Sequence, residues 1–263
     1  MALKDIGQFR AKRCRCAPVI ALLLSVCLPQ TLFAFDFGRW DAILKKNTRP
    51  SYFAAIGYTG FDYAAILNSS EFDELVGGLA SFSPEKLRGK DEAMAFWINA
   101  YNIFAVKLVR DHFPISGIKK IGNIFSPVWS IPAGNVGGKM YTLHSIEHEI
   151  LRPMKEPAIH FAIVCASVSC PDLLPEAYTA AALKSQMKSQ VNRFLGNREK
   201  GMRVDGEKKT VHLSMIFDWY EKDFAEAGGV IGFLNSEWGG NRNIPKGYAI
   251  KYLPYNWDLN IAR

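Results

Sequence analysis

Hydrophobic residues cover every face of one long segment of the chain, residues 90–112. A helix that is apolar all round is buried in the core, because it has no polar side to turn toward solvent. The segment ends at Phe113-Pro114, since a proline disfavours helical backbone at the residue before it. The pattern therefore predicts a buried central helix over about residues 90–112.

Two asparagines interrupt this apolar pattern. Asn99 and Asn102 are three positions apart, so they lie on one face of the predicted helix. A buried amide must find hydrogen-bond partners, which predicts that each asparagine anchors the backbone of a neighbouring loop. Binding of a ligand at this face is the alternative interpretation.

Shorter patterns complete the expected fold. Residues 159–165 are a continuous apolar run, which predicts a buried strand, and Gly137-Gly138 predicts a hairpin turn. Thr142 is a suitable N-cap for a short helix that ends near Arg152-Pro153. Further helices are expected at 37–46, 60–68, 70–82, 176–195 and 214–224, and further strands at 202–204, 210–213 and 248–253. Helices outnumber strands without alternating regularly, so we predict an α+β fold: a single helix-rich domain with a small sheet and a buried central helix.

Four aromatic residues cluster in the last third of the chain. Phe217, Trp219, Tyr220 and Phe224 recur at helical spacing. Such a pattern is typical of core packing, and a platform for a ligand is the alternative interpretation.

The N-terminus has the features of a secretory signal peptide. Five basic residues precede an apolar stretch at residues 17–28, and the small residue Ala34 is suitable for the cleavage site. The apolar stretch is shorter than the roughly 20 residues of a bilayer-spanning helix. Residues 1–34 are therefore predicted to be a signal peptide, and residues 35–263 a single periplasmic or secreted domain. Lipidation of Cys27 is the alternative.

Removal of the signal peptide changes the charge of the chain. The full sequence has a net charge of +7, whereas the residues after Ala34 hold 27 basic and 24 acidic side chains, a net charge of +3. A domain this close to neutral has no broad electrostatic attraction for nucleic acid. We expect a small-molecule or peptide ligand, no nucleic-acid partner, and no membrane span once the signal peptide is removed.

Two cysteines remain after the signal peptide, Cys165 and Cys170. Exported proteins readily form disulfides, and this pair is predicted to form one if residues 166–169 turn tightly enough to bring the two Cα atoms within about 7 Å. The alternative is that one cysteine is a nucleophile or that both form a redox pair. A regular strand would put His160 and Cys165 on opposite faces, so Cys170 is better placed to meet His148 or His160.

The string His144-Ser-Ile-Glu-His148 matches the His-x-x-Glu-His pattern of one class of zinc peptidase. Two histidines four positions apart on a helix can bind one zinc ion, but no third ligand follows at a motif distance. We therefore expect no metal and no cofactor. His148 and Arg152, also four positions apart, are predicted to share a helix face that borders a cleft.

Five sequence blocks, spread from about residue 90 to 260, resemble the signature blocks of the DUF547 family, a domain of unknown function. The blocks are 96–102, 146–148 with Arg152, 160–165 with Cys170-Pro171, 214–220 with Asp223-Phe224, and 255–260. Members of this family occur in bacteria and in plants, where some are fused to glutaredoxin-like domains. The resemblance implies a shared domain and directs attention to these positions, but it implies no mechanism.

Two functions remain open for the candidate site. The first is a thiol-dependent hydrolase or acyltransferase, in which a cysteine attacks the substrate and a histidine acts as base. The second is a non-catalytic binding or envelope-maintenance domain whose cysteines form a structural disulfide. The candidate catalytic residues are Cys170, Cys165, His148 and His160, and the candidate ligand-binding residues are Arg152, Asn99 and Asn102.

Overall fold

The centre of the fold is a long helix, α3, Gly89–His112. The computed structural model describes residues 35–238 and 243–263, and the predicted signal peptide at 1–34 lies outside them. Nearly every residue of α3 between Met94 and Val109 is buried, which confirms the central helix expected from its apolar pattern. The helix ends before Phe113, whose backbone is extended.

Asn99 and Asn102 hold two loops against α3. The side-chain amide of Asn99 donates to the carbonyl of Tyr178 at 2.8 Å and accepts from its N–H at 2.9 Å. Asn102 donates to the carbonyl of Ala162 and accepts from the N–H of Val164, both at 2.9 Å. The prediction that both amides anchor loop backbone is confirmed.

Other helices surround α3 and contribute to the same core. The helices predicted at 37–46 and 70–82 are confirmed, the one predicted at 176–195 is shorter, and the last helix has no counterpart among the predictions. No helix within the described ranges is both long and apolar enough to cross a bilayer. The helices are α1 (Gly38–Asn47), α2 (Ser70–Ser81), α4 (Leu143–Ser145), α5 (Leu183–Gly196), α6 (Ile216–Trp219) and α7 (Gly229–Glu237).

Short strands form three small sheets in the described residues. They are β1 (Thr48–Phe53), β2 (Ile56–Phe61), β3 (Pro132–Val136), β4 (Lys139–Thr142), β5 (Met202–Asp205), β6 (Thr210–Leu213) and β7 (Ala249–Tyr252). β1–β2 and β3–β4 are antiparallel hairpins, whereas β6 pairs antiparallel with β5 and parallel with β7. Gly137 and Gly138 connect β3 to β4 with φ of 59° and 84°, so the predicted turn is confirmed, as is the α+β fold.

The helix predicted at 60–68 is wrong. β2 ends at Phe61, and only a short 3-10 helix, Ala64–Ile66, follows it. A Cβ atom added to Gly60 would lie 2.6 Å from the Cα of Ala262, so glycine permits this strand to pack directly against the C-terminal segment. The apolar residues that suggested one helix therefore belong to two different elements, strand β2 and the 3-10 helix that follows it.

The buried strand predicted at 159–165 is also wrong. A 3-10 helix, Pro157–Phe161, is followed by irregular backbone as far as Cys165. The apolar side chains are buried as expected, but Asn102 supplies backbone hydrogen bonds that a neighbouring strand would have supplied. As a result, His160 and Cys165 are not constrained to opposite faces of a strand.

Candidate functional site

A cavity of about 510 Å³ lies beside the segment that contains both cysteines. Its lining includes His148, His160, Cys165 and Cys170, so the four candidate catalytic residues border one cavity. The candidate ligand-binding residues Arg152, Asn99 and Asn102 do not line it. Arg152 contacts His148 from outside the lining, and the two asparagines hold the surrounding loops.

Thr142 begins the helical element that carries one wall of the cavity. Its hydroxyl accepts from the N–H of Ser145 at 2.9 Å and Ser145 Oγ accepts from the N–H of Thr142 at 3.0 Å, which is a capping box. The predicted N-cap is thus confirmed. After α4 the helix widens into a π-helical turn, Ile146–Leu151, a rare geometry that often occurs at functional sites. This turn places Glu147 and His148 in the cavity wall.

The tight turn expected between the cysteines is present. The N–H of Cys170 donates to the carbonyl of Ser167 at 3.1 Å, and Ala166 has left-handed backbone with φ of 54°. Both cysteines are free thiols, so the predicted disulfide is not formed. The two thiols hydrogen-bond each other and differ in their other partners. Cys170 Sγ accepts from the backbone N–H of Cys165 at 2.8 Å, whereas Cys165 Sγ contacts Ser167 and Tyr255.

Cys165 is surrounded by hydrogen-bond donors. Its Sγ lies 3.1 Å from Ser167 Oγ and 3.2 Å from the hydroxyl oxygen of Tyr255. Burial by itself would raise the pKa of this thiol, but hydrogen bonds from Cys170, Ser167 and Tyr255 outweigh burial and hold the pKa below its ordinary value of 9.0. Burial, and then the charge of Cys165, raises the pKa of Tyr255 well above its usual range, so this hydroxyl keeps its proton and donates. Cys165 is therefore the cysteine that favours the reactive thiolate.

Cys170 has the opposite environment. Its side chain is buried, and this burial, followed by its interaction with Cys165, raises its pKa well above 9.0. A thiol that stays protonated is a weak nucleophile. The sequence-based preference for Cys170 over Cys165 thus has no support in the geometry, because it depended on a regular strand that is not formed.

His160 is fixed between an aromatic ring and a carboxylate. Its ring stacks on Tyr220 with centroids 4.0 Å apart, and its Nε2 lies 2.7 Å from Oδ2 of Asp223. Burial raises the pKa of Asp223, but hydrogen bonds from His160 and Arg152 more than offset it and hold the pKa well below 3.8. Since an ionised carboxylate only accepts, Nε2 of His160 donates. Nδ1 of His160 is buried without a hydrogen-bond partner among the described residues, and it is the ring atom left for proton transfer.

Arg152 connects Asp223 to His148. Its Nε and Nη2 donate to the two carboxylate oxygens of Asp223 at 2.6 and 2.8 Å, and its Nη1 lies 2.6 Å from Nδ1 of His148. Because arginine only donates, Nδ1 of His148 accepts and its Nε2 carries the proton. Burial, with further repulsion from His144 and Arg152, lowers the pKa of His148 despite the neighbouring Glu147. The prediction that His148 and Arg152 share a helix face is confirmed, and His148 favours its neutral form.

The two histidines of the His-x-x-Glu-His string stack on each other. The ring centroids of His144 and His148 are 4.2 Å apart and the rings are 21° from parallel. Nδ1 of His148 is already occupied by Arg152. In the part of the chain that the structure describes, no three His, Cys, Asp or Glu side chains gather as potential metal ligands. That the protein holds no metal stays a prediction.

A buried ion pair anchors residues 165–172, here called the thiol loop. Lys200 Nζ lies 2.7 Å from Oδ1 of Asp172 and donates to the carbonyl of Cys170 at 3.0 Å. The side chains of Lys200 and Asp172 are only 1% and 8% exposed. Arg193 contacts the other oxygen of Asp172 at 3.2 Å. The charges are therefore paired inside the fold, and the loop that carries both thiols is fixed by them.

One wall of the cavity is aromatic. Trp219 is 44% exposed, so the prediction of core packing is wrong for this residue. Tyr220 is partly buried against the core and also stacks on His160. The prediction is correct for Phe217 and Phe224, which are fully buried. The aromatic wall consists of Trp129, Trp219, Tyr255 and Trp257, whose neighbouring ring centroids lie 4.5 to 6.3 Å apart.

Three residues that complete this site could not be predicted from residue type and spacing. Asp223 is 63 positions from His160, and Tyr255 is 90 positions from Cys165. Both lie in the sequence blocks that resemble DUF547, and that resemblance is the signal that could have found them. Lys200 lies in none of the blocks, and no pattern in the sequence marks it.

A comparison with protein families agrees with the resemblance. Residues 84–195 match the family described as "Protein of unknown function, DUF547". The matched segment includes α3, the π-helical turn and both cysteines, but Asp223 and Tyr255 lie beyond it. No curated protein matched the chain, and no solved structure matched it. The resemblance to DUF547 is thus confirmed over residues 84–195.

Proposed function

We propose that the cavity is the active site of a thiol-dependent hydrolase or acyltransferase. The observation that carries this proposal is the hydrogen bond between His160 and Asp223, because His160 lines the same cavity as Cys165, the cysteine whose pKa is lowered. A nucleophile, a histidine and a carboxylate that orients the histidine are the groups that nucleophilic acyl transfer requires.

Cys165 is the nucleophile of the proposed reaction. Its sulfur attacks the carbonyl carbon of an ester, thioester or amide, and a carbon–sulfur bond forms while the thiol proton passes to Nδ1 of His160. The bond to the leaving group then breaks, and His160 returns the proton to that group. Water releases the acyl group from sulfur in a hydrolase, whereas an alcohol or amine releases it in an acyltransferase.

The neighbouring side chains set the protonation states for this reaction. Asp223 accepts from Nε2 of His160 and so leaves Nδ1 as the basic atom. Arg152 holds the carboxylate of Asp223 through two hydrogen bonds. His148 presents a protonated Nε2 to the same cavity, and it can donate to the carbonyl oxygen as negative charge develops there.

The non-catalytic alternative loses one of its supports. A structural disulfide was the reason to regard the cysteines as inert, and both are free thiols. The basic and apolar N-terminal residues still favour export, so we include a periplasmic or extracellular location in the proposal.

Burst kinetics with p-nitrophenyl acetate test the proposed function. We expect about one equivalent of p-nitrophenolate per chain in a rapid first phase, followed by slower turnover as the thioester is hydrolysed. The burst rate should reach half its maximum below pH 9.0, since the thiolate is present above the lowered pKa of Cys165 and is lost as the pH falls through it.

The controls for this experiment are Cys165→Ser, which should show no burst, and Cys170→Ser, which should retain it. A wild-type protein without a burst, or a burst that persists in Cys165→Ser, would contradict the proposal. The first of these results would leave the cavity as a binding site without acyl chemistry.

A further inference from the structure

Glu147 is a buried carboxylate in the wall of the proposed active site. Its side chain belongs to the π-helical turn, lines the cavity and is 7% exposed. Its Oε1 has no hydrogen-bond partner among the residues that the structure describes. A buried carboxylate oxygen without a partner is costly, so its retention in a cavity wall points to a ligand that supplies the missing donor.

The nearby cations are engaged elsewhere. Nε and Nη2 of Arg152 donate to Asp223, and its Nη1 contacts His148. Nζ of Lys119, which also lines the cavity, lies 4.3 Å from the ring centroid of Trp257. Among the described residues, neither side chain makes a hydrogen bond or an ion pair with Glu147. The carboxylate therefore has no cationic partner within hydrogen-bonding range among the described residues.

Aromatic rings line the same cavity as Glu147. Tyr101 and Tyr220 line the same cavity, and burial, followed by the charge of Glu147, raises the pKa of both hydroxyls. The hydroxyl of Tyr220 also hydrogen-bonds the Glu147 carboxylate, so Oε1 is the oxygen that lacks a donor. Both rings thus stay uncharged, and the aromatic wall adds indole faces to the cavity. A carboxylate next to aromatic faces is the chemical environment that binds an ammonium group, through an ion pair and through cation–π contacts.

We propose that Glu147 binds a primary amine of the substrate, so that the cavity accepts acyl compounds that carry an amino group, such as peptides with a lysine-like side chain. This inference rests on the proposed function for the chemistry of the reaction. The amine site itself is defined by Glu147 and its surroundings and does not require that Cys165 react.

Two esters that differ only in a terminal amine test the inference. They are the p-nitrophenyl esters of Nα-acetyl-lysine and Nα-acetyl-norleucine. We expect kcat/KM for the lysine ester to be about tenfold higher, or more, than for the norleucine ester. A factor of this size corresponds to the usual free energy of a hydrogen bond to a charged group. Glu147→Gln should remove most of this preference, measured as the ratio of the kcat/KM values of the two esters. The matched control is Glu149→Gln, an exposed residue of the same turn, which should keep the preference.

A binding measurement separates this inference from the proposed function. Calorimetry on Cys165→Ser compares Nα-acetyl-lysine amide with Nα-acetyl-norleucine amide, and we expect tighter binding of the lysine compound that is lost when Glu147→Gln is added. Turnover of both esters at equal rates would overturn the inference and leave the proposed function intact. Glu147-dependent binding without any turnover would support the amine site and overturn the proposed function. Glu147→Gln could fail to fold without affecting the test. In that case the deciding measurement is the binding of the two amides to Cys165→Ser with Glu147 intact, and equal affinities would overturn the inference.

Discussion

Asp223→Asn is expected to slow acylation of Cys165 by about 10²- to 10⁴-fold. The carboxylate of Asp223 accepts from Nε2 of His160 and from two nitrogens of Arg152. An asparagine has one carbonyl oxygen to accept these bonds, and its NH2 group would face donors. His160 would then lose the partner that holds the proton on Nε2, and Nδ1 would no longer be available as the base.

Stopped-flow measurement of the p-nitrophenyl acetate burst checks this prediction. The matched control is Glu226→Gln, which removes a carboxylate from the same 3-10 helix, Glu221–Ala227, but from an exposed ion pair with Lys155. The control should react at the wild-type rate. Thermal unfolding of both variants shows whether the fold is retained. A folded Asp223→Asn protein that reacts within about threefold of wild type would contradict the assignment of His160 as base.

Lys200→Met is expected to lower the free energy of unfolding by about 3 kcal/mol. Methionine preserves much of the side-chain volume but leaves the buried Asp172 without its nearest cation and the carbonyl of Cys170 without a donor. Arg193 and the backbone N–H of Thr59 still contact Asp172. The decrease in the free energy of unfolding should therefore be at the lower end of what is usual when one partner of a buried ion pair is removed.

Urea unfolding measures this loss. The matched control is Lys208→Met, because Lys208 also pairs with an aspartate but its side chain is 79% exposed. Exposed ion pairs contribute little, so the control should change the free energy of unfolding by less than about 1 kcal/mol. Equal effects of the two substitutions would show that the buried pair does not hold the thiol loop.

Local sequence signals predicted the parts of the fold that depend on local physics. The apolar residues of α3 face every direction, and this alone required a central helix. The capping box at Thr142 and the turn at Gly137-Gly138 depend on residues within three positions of each other. Each of these features was predictable because its partners are close in sequence.

The errors arose where distant residues decide the local structure. The run at 159–165 looks like a strand, but Asn102 on α3 supplies its backbone hydrogen bonds, so the segment needs no neighbouring strand. β2 likewise depends on the C-terminal segment, which packs against Gly60. An apolar run indicates burial, but it does not specify which backbone geometry is buried.

For the candidate site, the sequence could predict which cysteines and histidines take part. Both cysteines and His148 and His160 could be selected because thiols and imidazoles are the groups that acyl transfer uses. The sequence favoured Cys170 over Cys165 on the assumption of a regular strand, and it could not show the hydroxyl of Tyr255, 90 positions away, that contacts Cys165. A tight turn between the cysteines was also compatible with a disulfide, whereas in the structure both cysteines are free thiols.

Identification of the acylated residue tests the central claim most directly. The wild-type protein is mixed with p-nitrophenyl acetate, quenched in acid during the burst, digested and mapped by mass spectrometry. The account predicts one acetyl group per chain, attached to Cys165, with Cys170 unmodified. An acetyl group on Cys170, or on no cysteine at all, would contradict the assignment of Cys165 as the nucleophile.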